Sequence, residues 1–394
     1  MAGEIVIAGS LAQKPLRGGH TWVLLQYVLG LKKLGWSVLF LDRLEPEMCV
    51  DDEGRPAAAG ESLNLRYFVD VMRGFGLERS CALILGENGS AAGGATAFGL
   101  GRGEVLARVR EAELLLNVMG YLDDEEILAA ARRRVFLDID PGFGQMWREL
   151  GWADVFSGHD DLVTIGGNIG REGCTIPDCG LTWITTSQPI VLDLWPARPP
   201  GDGPFTSVGT WRGRYAPIEY AGETYGLRVH EFRKFAGLPA QTGASFELAL
   251  DIDEAEQRDL TLLETSGWRL VDPLEVASNP WSYQCYIARS GAEFMVAKDV
   301  YVRSRSGWFS DRSICYLASG RPAIVQDTGL EDLYPTGDGL LVFRDFEEAR
   351  AAVAEVSRDR RHHAAAARRV AEECFDSDRV LGRLLDRLGV RARD

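Results

Sequence analysis

Residues 307–329 read GWFSDRSICYLASGRPAIVQDTG. Ser310 and Asp311 stand where a helix would begin, with Ser310 as the N-cap whose side-chain oxygen accepts a free N–H of the first turn. Ile314, Tyr316 and Leu317 carry that helix to Gly320, and Pro322 lies just beyond the stop. AIVQ then predicts a short buried strand that delivers Asp327, Thr328 and Gly329 to its carboxyl end. Upstream the same alternation repeats, with RVHEFRKFAG as helix, ASFELAL as strand, AEQRDLTLLETSG as helix and WRLVDP as strand, all after an opening strand FTSVGTW. Strands alternating with helices imply right-handed crossovers and a parallel sheet.

Just before FTSVGTW, the stretch LWPARPPGDGPF packs four prolines and two glycines into twelve positions and reads as a linker. On its other side the pattern starts afresh from the beginning of the chain. EIVIAG predicts a strand, Val23, Leu24, Tyr27, Val28, Leu31 and Leu34 recur with helical spacing, Gly35 ends that helix, and SVLFLD is the next strand. CALILG, ELLLNVMG, RRVFLDID and DLVTIGG follow, with GEVLARVREA and EEILAAARR as helices between them. The expected fold is therefore α/β, two Rossmann-like, doubly wound domains facing across a cleft. Residues 1–200 and 203–375 form the halves, and a last amphipathic helix within 376–394 packs back on the first. No repeat of solenoid length interrupts this reading.

The 394 residues suit two cores. Net charge is −15, which repels a phosphate backbone, and no basic run interleaved with aromatics opposes it, so nucleic acid is not an expected partner. Glu4 stands where a secretory leader would carry positive charge, and no apolar run approaches a membrane span. A cytoplasmic location is expected. Seven cysteines form no CxxC pair, and the 26% charged residues leave no long low-complexity tract, so reduced thiols and an ordered chain are the expectation. Only Cys174 and Cys179 lie close together, without a second ligand pair for zinc.

The run from Gly307 to Val353 resembles the donor half of GT-B glycosyltransferases: a small-residue loop, a helix ending in Gly-x-Pro, a strand, a short polar turn, then Gly-Asp-Gly-Leu-Leu-Val and a helix. The resemblance implies a nucleotide diphosphate sugar as co-substrate, UDP- or dTDP-linked, with no further cofactor and no metal. It places the diphosphate at the helix start of Ser310 and Asp311, where free N–H groups favour an anion. It further implies donor contacts from Gly307 in the small-residue loop, from Asp327, Thr328 and Gly329, from Gly209 and Thr210 with Arg212 near them, and from Asp272 toward the base. Two departures stand out. Retaining members carry paired glutamates eight positions apart in this region, where this chain has Gly307 and Cys315, and the histidine that plant-type members carry near Gly307 is absent. The missing glutamate pair leans toward inversion.

A second loop, PLRGGHTW, joins the first strand to the first helix. Gly18 and Gly19 resemble the acceptor loop of the same family, and His20 is placed to act as general base on an acceptor hydroxyl. Such an imidazole needs an orienting carboxylate, and Asp138 or Asp140 of FLDIDPGFG ends a strand at the same sheet edge. That pair also has the Asp-x-Asp spacing of a metal site in another glycosyltransferase fold, and the triplet recurs at Asp251 and Asp253, but helix starts neutralise a diphosphate without a metal. His159, Asp160 and Asp161 read as a turn. His362 and His363 read as solvent-facing, and Trp22, Trp147, Trp152 and Trp183 as packing or as a platform for a flat acceptor. The sequence thus predicts sugar transfer to the hydroxyl of a small or medium acceptor, such as a natural product or glycan precursor. A donor-modifying epimerase of the same fold and a non-catalytic nucleotide-sugar-binding protein are its rivals.

Overall fold

The structure, a computed structural model, describes residues 3–86, 94–213 and 215–391. In the first half, β1 (Glu4–Gly9), β2 (Ser37–Leu44), β3 (Cys81–Leu85), β4 (Thr96–Gly99), β5 (Leu114–Val118), β6 (Arg134–Asp138), β7 (Asp161–Thr164) and β8 (Trp183–Thr185) form one sheet. Their order is β4-β3-β2-β1-β5-β6-β7-β8. Every pair is parallel except β3 with β4. The antiparallel edge strand departs from the expected all-parallel sheet. A parallel return needs a crossover of a dozen or more residues, usually through a helix, and β4 begins only a short way after β3 ends.

The second half orders β9 (Phe205–Thr210), β12 (Phe246–Asp251), β13 (Trp268–Val271), β14 (Ala292–Met295), β15 (Ala323–Gln326) and β16 (Leu340–Phe343) as β13-β12-β9-β14-β15-β16. Its strands are all parallel. Phe205, Phe246, Trp268, Phe294 and Phe343 meet ring to ring on one face of this sheet, the kind of contact that adds about 0.5–1.5 kcal/mol per pair beyond area burial. Between β9 and β12 runs a small antiparallel hairpin, β10 (Ile218–Tyr220) with β11 (Glu223–Tyr225). The sequence reading missed it. Its turn is Ala221-Gly222, both at positive φ, so the turn has the primed geometry of a hairpin without the Asn-Gly or Asp-Gly signal.

In both halves the chain steps outward one way from the first strand and then reverses to its other side. Ligands of such sheets bind beyond the carboxyl ends of the strands at that reversal. Here the reversals fall between β1 and β5 and between β9 and β14.

The halves meet through named contacts. Trp22 donates from Nε1 to Pro280 O at 2.8 Å, and Asn168 donates from Nδ2 to Gly329 O at 2.8 Å and Arg305 O at 3.0 Å. The chain then returns to the first half. Ile190 N donates to Phe375 O, Ser377 N to Ile190 O, and the helix Ser377–Arg387 lays Leu381 against Gly30 of the helix Gly18–Lys33. A methyl group at Gly30 would stand 2.6 Å from Leu381 Cδ1, so the approach requires the glycine.

Candidate active site

A cleft of about 300 Å³ lies between the two reversal points. Lys14, Gly19, His20, Met119 and Tyr121 reach it from the β1 and β5 loops, and Asp140 from the β6 loop. Val208, Arg228, Lys298, Tyr301 and the helix start Ser310–Arg312 reach it from the second half. The topology therefore brings His20 and the quoted segment to one cavity.

Ser310 is the N-cap of the helix Asp311–Ala318, its Oγ accepting from Arg312 N at 3.2 Å. Asp311, beside it, has its carboxyl raised by burial, against the opposing pull of Arg312. Arg312 is 7% exposed. It donates from Nε to Glu293 Oε1 and from Nη1 to Val208 O, both at 2.6 Å, while its buried Nη2 meets no partner among the described residues. Arg228 stands next to it with a buried Nε that also meets no partner among the described residues. Burial, and then the charge of Arg312, bring the Arg228 guanidinium down to about 10. Two adjacent cations held out of water with donors to spare form a site that favours an anion.

Gly209, expected in the loop that meets the diphosphate, packs against Arg228. Its missing side chain is the space that the Arg228 guanidinium fills. Arg212, expected beside it, is instead half-exposed and held by both oxygens of Glu256. Thr210 ends β9 with an exposed side chain. Asp272 is exposed and caps the helix Pro273–Ala277 by accepting from Leu274 N at 2.8 Å, beyond the outermost strand of its sheet. Asp327 accepts from Gly329 N at 2.8 Å and Leu330 N at 3.2 Å in a buried turn, and Thr328 donates to Trp308 O. Gly307 and Gly329, both at positive φ, press against Asn168 of the first half. None of these last four lines the cleft; they build the seam beside it.

Gly18 is buried against the backbone carbonyls of Ala277 and Asn279, and Gly19 against the Tyr283 ring. The glycine pair therefore sets the distance between the halves. His20 Nε2 lies 2.9 Å from Ser10 Oγ. The two aspartates expected to orient it are committed elsewhere. Asp138 is buried and accepts from Gln145 Nε2 at 2.7 Å, Thr164 Oγ1 at 2.9 Å and Asp140 N, and burial pushes it up to about 6. Asp140 accepts from Lys298 Nζ at 2.8 Å and from Tyr301. The Asp-x-Asp spacing thus meets protein donors, and among the described residues no group of three or more His, Cys, Asp or Glu is placed to hold a metal ion.

Of the weaker candidates, His159 is held by Asn117 and Phe156 O, and His362 pairs with Asp338. His363, expected to face solvent, is 2% exposed and accepts from Gly339 N, because its helix turns that face toward the sheet. Trp22 is buried, Trp152 is exposed, and Trp147 meets Tyr215 edge-on at the mouth of the cleft. The described cysteines are free thiols. No described helix is long and apolar enough to cross a membrane.

The sequence reading missed Arg228, Arg312 and Lys298. Arg228 opens a predicted helix, and Lys298 follows the apolar run AEFMVA in a position where a strand-end residue faces the cleft. The second signal was available; nothing local distinguishes Arg228 from Arg212.

Residues 260–386 match the model of a family described as glycosyl transferase-like. No curated protein matches the chain in sequence. Among solved structures the chain is similar to an alpha-glucosyltransferase in complex with UDP and a 13-mer DNA containing an HMU base, at 11% identity and TM-score 0.57, covering 99% of this chain and 100% of that one. It is also similar to Anabaena HepE in complex with UDP and glucose (12%, 0.55, 98% and 99%) and to AviGT4, a glycosyltransferase involved in Avilamycin A biosynthesis (11%, 0.53, 98% and 96%). At these identities the likeness establishes the fold. One of these neighbours is seen with DNA, so the comparisons do not support the expectation that nucleic acid is excluded as a partner.

Proposed function

We propose that the chain, which shares its fold with GT-B glycosyltransferases and matches a glycosyl transferase-like family model over residues 260–386, moves a sugar from a nucleotide diphosphate sugar to the hydroxyl of a small or medium acceptor, with inversion at the anomeric carbon. The observation that carries this reading is the shared cavity, which holds an imidazole from one half and two partly unpartnered arginines beside a helix start from the other. The diphosphate is assigned to Arg228, Arg312 Nη2 and the helix start after Ser310. In the reaction the acceptor oxygen attacks the anomeric carbon as its proton passes to His20. The carbon–oxygen bond to the diphosphate breaks, and the electron pair leaves with the diphosphate, where the arginines stabilise the developing charge. Ser10 positions the imidazole. Asp140 holds Lys298 and Tyr301 at the cleft wall and belongs to the positioning framework. No residue of this mechanism calls for a metal, and the diphosphate sugar is consumed as co-substrate.

The test is release of free nucleotide from UDP- and dTDP-sugars offered with a panel of hydroxyl acceptors. His20→Ala is expected to lower kcat about 10²- to 10⁴-fold, the usual contribution of a general base, with little change in donor KM. Unchanged kcat in His20→Ala would remove the base assignment, and acceptor-independent conversion of the donor would favour an epimerase.

A further inference from the structure

On the far side of the Asn168 seam lies a second cavity, of about 220 Å³, that shares no lining residue with the cleft. Arg171 comes to it from the loop after β7, Thr185 and Ser187 from the end of β8, Tyr334 from the segment between β15 and β16, and Arg383 and Arg387 from the C-terminal helix. Among the described residues no carboxylate lines it. Most arginines on this acidic chain are paired, as Arg55, Arg102 and Arg133 are with nearby aspartates and glutamates. These three are not. Among the described residues Arg171 has no side-chain partner, and Arg383 and Arg387 donate only to the backbone carbonyls of Arg379 at 3.2 Å and Thr185 at 2.5 Å. Ser187 Oγ and Tyr334 OH, 3.1 Å apart, add hydroxyl groups at the wall.

We propose that this pocket binds a small phosphate-bearing anion. Three guanidinium groups around one polar cavity in a chain of net charge −15 match a ligand with at least two negative charges, and planar guanidinium donors suit phosphate oxygens. The volume admits a phosphate with part of a sugar ring attached, so the phosphate is either free or carried by a carbohydrate. Both domains supply lining residues, so the bound anion bridges them.

The experiment is calorimetric titration of the full chain, saturated with UDP to fill the cleft, with inorganic pyrophosphate, glucose 1-phosphate and sodium acetate. One further equivalent of a phosphate species is expected to bind, with acetate silent, and the doubly substituted Arg171→Ala, Arg383→Ala protein is expected to bind it at least tenfold more weakly while its UDP affinity is unchanged. Tighter binding of glucose 1-phosphate than of pyrophosphate assigns the phosphate to a carbohydrate, and the reverse assigns it to a free anion. Equal phosphate binding by wild type and variant, or none by the wild type, overturns the proposal. Should UDP itself not bind, the same comparison on the free protein still reads this pocket, so failure of the donor assignment is seen separately.

Discussion

Arg212 and Arg228 both follow β9, yet only Arg228 lines the cleft, because Glu256 holds Arg212 at the surface and Gly209 leaves room for Arg228 within. An ionic hydrogen bond contributes about 1.5–3 kcal/mol. Arg228→Ala is therefore expected to weaken binding of the preferred nucleotide diphosphate about 10- to 100-fold by calorimetry, and Arg212→Ala by less than about twofold. Equal losses would return the diphosphate to the β9 loop. Asp42 provides a second test at this scale. It is 1% exposed at the end of β2, and it fixes the loop that leads to His20 by accepting from Ala12 N at 2.5 Å and Gln13 Nε2 at 3.2 Å. Burial raises its carboxyl to about 7 from 3.8. Between those values the folded chain keeps a proton that the unfolded chain has lost, so stability from this group is full below the unfolded value and falls as pH rises through the folded one. The loss is on the order of 4 kcal/mol. Denaturant melts from pH 4 to 8 are expected to show that slope in wild type and its reduction in Asp42→Asn; parallel slopes would contradict the assignment. None of this is legible from side-chain type alone, since which of two loop arginines turns inward, and which aspartates are buried, depends on contacts distant in sequence.

The elements themselves were far more legible. The 307–329 segment forms the capped helix, the glycine stop and the strand that its residue pattern predicts, because each signal acts within a few residues. The β10–β11 hairpin and the antiparallel β4 escaped, the first for want of a recognisable turn dipeptide and the second because its direction depends on connection length. The loop triplet Asp327-Thr328-Gly329 was read as ligand-facing from its place after a strand, but long-range contact with Asn168 turns it into a seam. The same kind of contact gives Gly18 its role. A methyl group there would collide with the Asn279 carbonyl and force the halves apart. Gly18→Ala is expected to cost about 1–3 kcal/mol in denaturant unfolding and to reduce turnover. Gly103→Ala, which meets open space on a helix, is expected to gain up to about 1 kcal/mol. A neutral Gly18→Ala would show that the domain spacing does not rest on this loop.

Across the whole molecule, an eight-stranded and a six-stranded sheet, each reversing direction beside its first strand, present their reversal points to one another, and the C-terminal helix ties the second half to the first. For the proposed transfer, that arrangement puts His20 on one wall of the cleft and Arg228 and Arg312 on the other. It also explains why the segment resembling a donor half was recognisable while its partners were not. One domain's motif can be read in a stretch of chain, but a cleft between domains belongs to neither. The most direct test is a thermal-shift screen of UDP, dTDP, GDP and ADP against the wild-type chain, with Arg228→Ala alongside. The account predicts that at least one nucleotide diphosphate raises Tm in wild type and that the increment collapses in the variant; a wild-type Tm unmoved by every nucleotide would contradict it.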